Sequence, residues 1–363
     1  MSDVLSVLAS SLNDTQLAAA ARRLKNSTVN GGNRSAALTA LIELARSQKR
    51  MAVLICANAF DVARLNQEIA WLDPSLKVSS LPDWETLPYD TMSPHADLVS
   101  ERLETLYNLT SDDLQARPDV LIAAASTAAQ RFAPKSYVAG NTFFFRKGQT
   151  ISIGKLETSL VAAGYGRVEQ TMAPGEFAVR GGIVDIFPMG AATPLRLDLF
   201  DDEIDAIRRF DPESQRSSGS VDRVRILPGH EFAFDEESRN RFRAAWRAAF
   251  PGDPNKCPVY VDVGSGICSP GIEYYLPLFF ESTGTLADYL PDNALFITLG
   301  ETRDAIDSFM RQTQERYKFL SHDAQRPALP PEKLFDKADS FFDAIAPFGR
   351  ISLKAPETGI DTS

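Results

Sequence analysis

The chain is poor in residues that hold metals. It has three cysteines, Cys56, Cys257 and Cys268, and three histidines, His95, His230 and His322, among 363 residues. An odd and sparse set of cysteines makes no fully paired disulfide framework and fits a reducing compartment. The histidines are scattered, none at HxxxH or CxxC spacing with a partner, so no zinc site is expected. No stretch approaches the roughly 20 apolar residues that a membrane helix needs. The start, MSDVLSVLASSLND, has neither the basic region nor the long apolar core of a secretory leader. A cytoplasmic location without a membrane partner is the expectation. Basic clusters are missing too: no run of Lys and Arg exceeds two residues, and 38 basic against 48 acidic residues leave a net charge of −10. Such a surface on average repels phosphate, which disfavours autonomous, tight duplex binding.

Also lacking is a phosphate-cradling loop, G-x-x-x-x-G-K-[ST], because no G-K-[ST] tripeptide occurs. Gly148 to Gly154-Lys155-Leu156 has one residue too many between its glycines, and Leu156 cannot ligate magnesium. NGGNRSAA (30–37) has loop glycines at the start of a helix, with Arg34 and Ser35 near where a Lys and hydroxyl pair would stand. It reads as an ordinary loop. Gly264-Ser265-Gly266 partly matches a dinucleotide loop, but the third glycine position is Ser269 and the run soon meets Pro270, so it reads as an ordinary loop. No cofactor is therefore expected on this chain.

What is present is ordinary for a folded protein: 44% hydrophobic and 24% charged residues. Two short helical patterns precede an Asn/Gly/Ser loop at 26–33. A helix follows with Leu38, Leu41, Ile42 and Ala45 on one face. Apolar runs at 51–57, 77–82 and 119–126 predict strands, and the segments 61–72 and 96–111 between them predict helices. Alternating strands and helices imply a parallel sheet. From Phe132-Ala133-Pro134 the pattern shifts to short alternating segments punctuated by Gly and Pro, which predicts mostly antiparallel sheet over 140–227 with one helix at 155–164. Residues 230–350 return to α/β, with helices at 239–250 and 301–320 and strands at PVYVDVG (258–264) and NALFITLG (293–300). The expected units are 1–133, 134–228 and 229–350, with a tail over 351–363.

Two clusters could carry function. Asp198, Asp201, Asp202, Glu203 and Asp205 could form a carboxylate site for a metal-dependent nuclease, or could be the solvated tip of a strand-turn-strand. In YGRVEQTMAPGEFAVRGGIVDIFPM (165–189), Arg167 and Arg180 flank a Pro-Gly turn and could come together, Gly181-Gly182 permits a close backbone approach, and Phe187 ends a strand. Arginine forks and rings carry interface energy. The alternative is that the arginines are solvated and Phe187 is core.

LPDWETLPYDTMSPHADLVSERLETLYNL (81–109), GEFAVRGGIVDIFPMGAATPLRLDLFDDEIDAIRRFDPESQR (175–216) and GIEYYLPLFF (271–280) resemble the bacterial transcription-repair coupling factor family near its N-terminus, a region similar to the excision-repair protein UvrB. The resemblance implies an α/β fold: a helicase-like parallel-sheet domain with a degenerate phosphate loop, an inserted β-rich α+β domain, and a second small α/β domain. It implies that Gly31 to Ala36 has lost the Lys and hydroxyl pair, and that Thr298, Leu299 and Gly300 stand where UvrB has metal-site acids. It leaves no room for UvrB's strand-separating hairpin between Tyr89 and Asp119. It implies UvrA as partner of the inserted domain, with Arg167 and Arg180 matching two UvrB arginines, a third falling at Ala178, and Phe187 matching a position used by the coupling-factor branch. It further implies a longer full-length protein, which reaches RNA polymerase and DNA and carries an ATP- and magnesium-dependent translocase beyond residue 363. Its C-terminal part would mask the UvrA face. An unorthodox nucleotide hydrolase is the enzymatic alternative alongside the nuclease.

Overall fold

The computed structural model describes residues 27–30, 34–111 and 116–354. The helical patterns before residue 27, Gly31 to Asn33 of the 30–37 stretch and the tail beyond Lys354 lie outside the described residues. In chain order the elements begin β1 (Ser27–Asn30), α1 (Arg34–Ser47), β2 (Ala52–Cys56), α2 (Ala59–Leu72), β3 (Val78–Leu81), α3 (Ala96–Thr110) and β4 (Val120–Ala124). A β-rich stretch follows with β5 (Phe143–Arg146), α4 (Ile153–Ala162), β6 (Gly166–Arg167), β7 (Glu176–Arg180), β8 (Ile183–Ile186), β9 (Leu195–Phe200), β10 (Glu203–Phe210), β11 (Ser217–Ser220) and β12 (Arg223–Ile226). Then come α5 (Glu236–Ala249), α6 (Pro258–Gly264), β13 (Leu295–Leu299), α7 (Thr302–Leu320) and β14 (Gly349–Lys354), with shorter helical turns between them.

Strands β1, β14, β13, β2, β4 and β3, in that spatial order, form one wholly parallel sheet. Every residue of β2, β4 and β13 is buried, which is why these strands read as continuous apolar runs: helices cover both faces of a parallel sheet. On one face, Leu38, Leu41, Ile42 and Ala45 of α1 and Leu65 and Ile69 of α2 pack on Leu54, Ile122 and Ile297. On the other, Leu103 and Leu106 of α3 pack on Val53, Ile55 and Leu121. That second core continues without a break into Phe177, Ile186 and Leu197 of the β-rich stretch.

The β-rich stretch builds a six-stranded sheet, β11-β10-β9-β8-β7-β6, antiparallel except for the β6–β7 pair, and a β12–β5 ribbon. Helix α4 turns Leu156 and Leu160 into the core on its inner side.

Several expectations need correction. The 26–33 loop holds a strand, β1, paired to β14. The expected tail starts as β14, whose Ile351 and Leu353 are buried between β1 and β13. PVYVDVG is a helix, α6. Pro258 sits at its first position, where a missing N–H costs nothing, and Val259, Tyr260 and Val263 turn inward at helical spacing. A short apolar run does not by itself distinguish strand from helix. Both strands of the 229–354 region join the sheet of the first segment, so the two α/β segments share one sheet.

A buried ion network ties these parts together. Arg102 on α3, wholly buried, donates from Nε to Glu231 at 2.7 Å, from Nη2 to the other Glu231 oxygen at 3.2 Å, and from Nη1 to the Pro82 carbonyl at 2.6 Å. Trp84 Nε1 donates to the same carboxylate at 2.8 Å, and the guanidinium lies 5.2 Å from the Trp84 ring. The 81–109 motif is thereby fixed to the exit of the β-rich stretch.

Candidate docking face

Side chains alternate across a strand, so each strand of the small sheet has a core side and an outer side. Phe177, Val184, Ile186, Leu195 and Leu197 face the core. Asp185 lies between Val184 and Ile186 and therefore points outward. Its Cα partners are Ala178 on β7 and Arg196 on β9.

Asp185 is fully buried although it carries a charge. Arg196 meets it with two parallel bonds, Nε to Oδ1 at 2.7 Å and Nη2 to Oδ2 at 2.9 Å. The guanidinium also lies 4.7 Å over the Phe210 ring. The hydrogen bond to Asp185 holds the Arg196 pKa above its usual value. Arg180 reaches the same carboxylate through Nη2, while nearly half of its side chain stays in solvent. Asp185 thus takes two guanidinium groups: Arg196, mostly buried and bidentate, neutralises it, and Arg180, through a single bond, is aimed outward by it. Charge-assisted, bidentate pairs of this kind fix direction as well as energy.

Two turns shape the rim. Glu176 Oε2 accepts from the backbone N–H groups of Met172 and Ala173 at 2.8 and 2.9 Å, which pins the turn before Gly175. The Gly181-Gly182 turn makes the close approach its glycines allow: a Cβ on Gly182 would sit 2.8 Å from the Leu199 carbonyl oxygen.

The expected site residues fall in different places. Arg167 pairs with Phe177, and its guanidinium meets Glu157 of α4 at 3.1 Å, on the core side of the sheet edge. Arg167 and Arg180 are therefore not brought together; they leave the sheet on opposite sides. Both reach solvent. Phe187 is only 8% exposed, so it serves mainly as packing. Ala178 is buried directly across from Asp185. Sequence reasoning missed Asp185 and Arg196. The available signal was charge alternating with apolar residues in IVDI and in LRLDL, which puts Asp185 and Arg196 each on the outer side of its own strand.

The other candidates are dispersed. Asp198 faces Arg208 at 3.2 Å, and Asp201, with φ 51°, occupies the β9–β10 turn. Among the described residues no three His, Cys, Asp or Glu side chains are grouped to hold a metal ion. Thr298 is buried and donates from Oγ1 to Ser352 Oγ at 2.9 Å, while Leu299 is fully buried. A cleft of about 470 Å3 beside the small sheet is lined by Tyr165, Gly175, His230, Cys268 and Glu273 among others. Burial pushes the Glu273 carboxyl up to about 7 and the Cys268 thiol up to about 12, and pushes the His230 imidazole down to about 4. The thiol is thus protonated at neutral pH and supplies no ready nucleophile. No described helix is long and apolar enough to cross a membrane.

Residues 143–232, which carry this face, match the family described as the UvrB interaction domain. Across the wider chain, the transcription-repair-coupling factor of Escherichia coli is 39% identical over 321 residues, covering 88% of this chain and 28% of that protein. Its counterpart in Haemophilus influenzae is 38% identical over 318 residues, covering 87% and 27%. The one in Bacillus subtilis is 26% identical over 288 residues, covering 76% and 24%. This chain is a relative of the UvrB-like region of the transcription-repair-coupling factors. It spans about a quarter of the length of these relatives.

Proposed function

We propose that this chain is a protein-docking module that presents a UvrB-like face to UvrA. UvrA is thereby recruited to lesions where RNA polymerase has stalled, and nucleotide excision repair begins. The observation that carries this reading is the match of residues 143–232 to the UvrB interaction domain, on a sheet whose Arg180 is held outward by a buried carboxylate.

The chain has no ATPase of its own in this reading. NGGNRSAA lacks the Lys and hydroxyl pair, and the end of β13 offers Thr298, Leu299 and Gly300 in place of acids. ATP, magnesium and DNA translocation belong to the remainder of a longer protein, which also engages RNA polymerase, and its C-terminal part covers the docking face at rest. The protein works in the cytoplasm. Two measurements test the reading: capture of purified UvrA by this chain, which should occur without nucleotide, and an ATP titration, which should show neither binding at micromolar concentration nor hydrolysis.

A further inference from the structure

Helix α5 carries four arginines, and three of them, Arg239, Arg243 and Arg247, recur every fourth residue. Residues at that spacing share one stripe of a helix. Phe242 and Trp246 turn into the core, and the Asp235 side chain caps the helix by accepting from the Ser238 N–H at 2.8 Å.

The stripe is held in place from the side. Helix α6 packs against α5 and presents Tyr260, which is buried and lies 6.0 Å from the Trp246 ring. The Arg243 guanidinium stacks 5.0 Å over the Tyr260 ring, and Arg247 Nη1 donates to the Tyr260 hydroxyl at 2.6 Å. Beyond α6 runs the exposed loop Gly264-Ser265-Gly266. A Cβ on Gly266 would lie 3.0 Å from Arg239 Nη1, and one on Gly264 would lie 3.5 Å from Arg243 Nε. The two guanidinium groups therefore rest against bare backbone.

Their charge is not answered from within. Among the described residues none of the three arginines has a carboxylate within ion-pair distance. The Nε atoms of Arg239 and Arg243 are buried with no acceptor. Two acids on the same two helices are engaged elsewhere: Asp262 accepts from the Ser269 hydroxyl at 2.6 Å, and Glu237 pairs with Arg241 at 3.3 Å; Glu236, in the first turn of α5, makes no ion pair with Arg239. In a chain of net charge −10, three oriented, unpaired guanidinium groups in a line point to an external polyanion.

We propose that the Arg239–Arg243–Arg247 stripe is a contact for the phosphate backbone of DNA. Eight residues of helix span about 12 Å at 1.5 Å per residue. That length faces three or four phosphates of one strand, which are spaced about 3.4 Å along the axis. Guanidinium forks suit phosphate oxygens, and Tyr260, stacked under Arg243 and accepting from Arg247, removes part of the freedom of those two before contact. A backbone contact carries no sequence preference. The stripe is separate from Arg167 and Arg180 and does not depend on UvrA docking.

The test is fluorescence anisotropy of a short labelled DNA duplex with the 363-residue chain over a salt series. Wild type should bind at low salt. The triple variant Arg239→Gln, Arg243→Gln, Arg247→Gln should bind more weakly, with a log–log salt slope shallower by about 2 to 3, since each phosphate contact contributes about 0.9. Its UvrA capture and melting temperature should be unchanged. Because Arg247 also holds Tyr260, Arg239→Gln alone provides a milder variant and should lower the slope by about 1. An unchanged slope in both variants, no wild-type binding at low salt, or binding to polyglutamate without binding to DNA would each overturn the proposal.

Discussion

Arg180 and Arg196 share one buried carboxylate, Asp185, but they stand on opposite terms with it. Arg196 has only 15% of its side chain in solvent and makes two bonds to Asp185, whereas Arg180 makes one and keeps 48% exposed. Removing one partner from a buried pair leaves an uncompensated charge and costs about 3–5 kcal/mol, while an exposed partner contributes about 0–1 kcal/mol. Arg196→Ala should therefore lower the urea midpoint strongly and Arg180→Ala hardly at all. Equal effects in the two variants would mean that the carboxylate is not neutralised as described.

Phe187 gives a second, separable outcome. Its ring is nearly enclosed, so truncation creates a cavity. Phe187→Ala should cost about 3–5 kcal/mol and lower the melting temperature. Any loss of UvrA capture by this variant should follow that instability. Loss of capture at an unchanged melting temperature would instead give the ring a direct contact.

Arg102 should be among the most sensitive positions in the chain. Arg102→Ala leaves Glu231 buried with no cation beside it, although the Trp84 indole N–H still donates to it. A cost of about 3–5 kcal/mol is expected, read by chemical denaturation. A loss under about 1 kcal/mol would show that the network relaxes and does not fix α3 to the β-rich stretch.

Glu273 makes stability depend on pH. Its folded carboxyl lies near 7, raised by burial from an ordinary 4.5, with the Ser93 hydroxyl donating to it at 2.9 Å. A folded value above the unfolded one means that the folded state binds the extra proton. Its contribution is complete below about pH 4.5 and is lost as pH rises through 7. Glu273→Gln should remove this slope and gain stability over wild type between pH 5 and pH 8, by on the order of 3 kcal/mol. The buried His230 acts in the opposite sense as pH falls toward 4, so the comparison is the difference between variant and wild type at each pH. Parallel stability curves would contradict it.

Much of the architecture is written locally. The helical stripe Leu38, Leu41, Ile42, Ala45 and the buried runs at 52–56, 120–124 and 295–299 predict their elements directly, because one side of each must be covered. The alternation in LRLDLFDDEIDAIRRF predicts the β9–β10 hairpin. Long-range pairing is less visible. Nothing local says that Ile351 and Leu353 sit between β1 and β13, or that the strands on either side of the β-rich stretch share a sheet. The face shows the same division. Arg167, Arg180 and Phe187 were readable as residue types, but which side of the sheet each occupies depends on register, and a shift of one residue exchanges the two sides. The alternation in IVDI marks Asp185 as the outward residue of its strand, but only the register shows that Arg180 and Arg196 meet it there.

The most direct test of the docking account is the affinity of purified UvrA for this chain, measured by calorimetry for wild type, Arg180→Ala and Arg167→Ala, with the melting temperature of each recorded. The account predicts wild-type binding, a loss of at least about tenfold for Arg180→Ala, in keeping with about 2–5 kcal/mol for a desolvated charge contact, and near-native melting temperatures. Wild-type affinity retained by both folded variants, or no binding of UvrA by the wild-type chain, would contradict it.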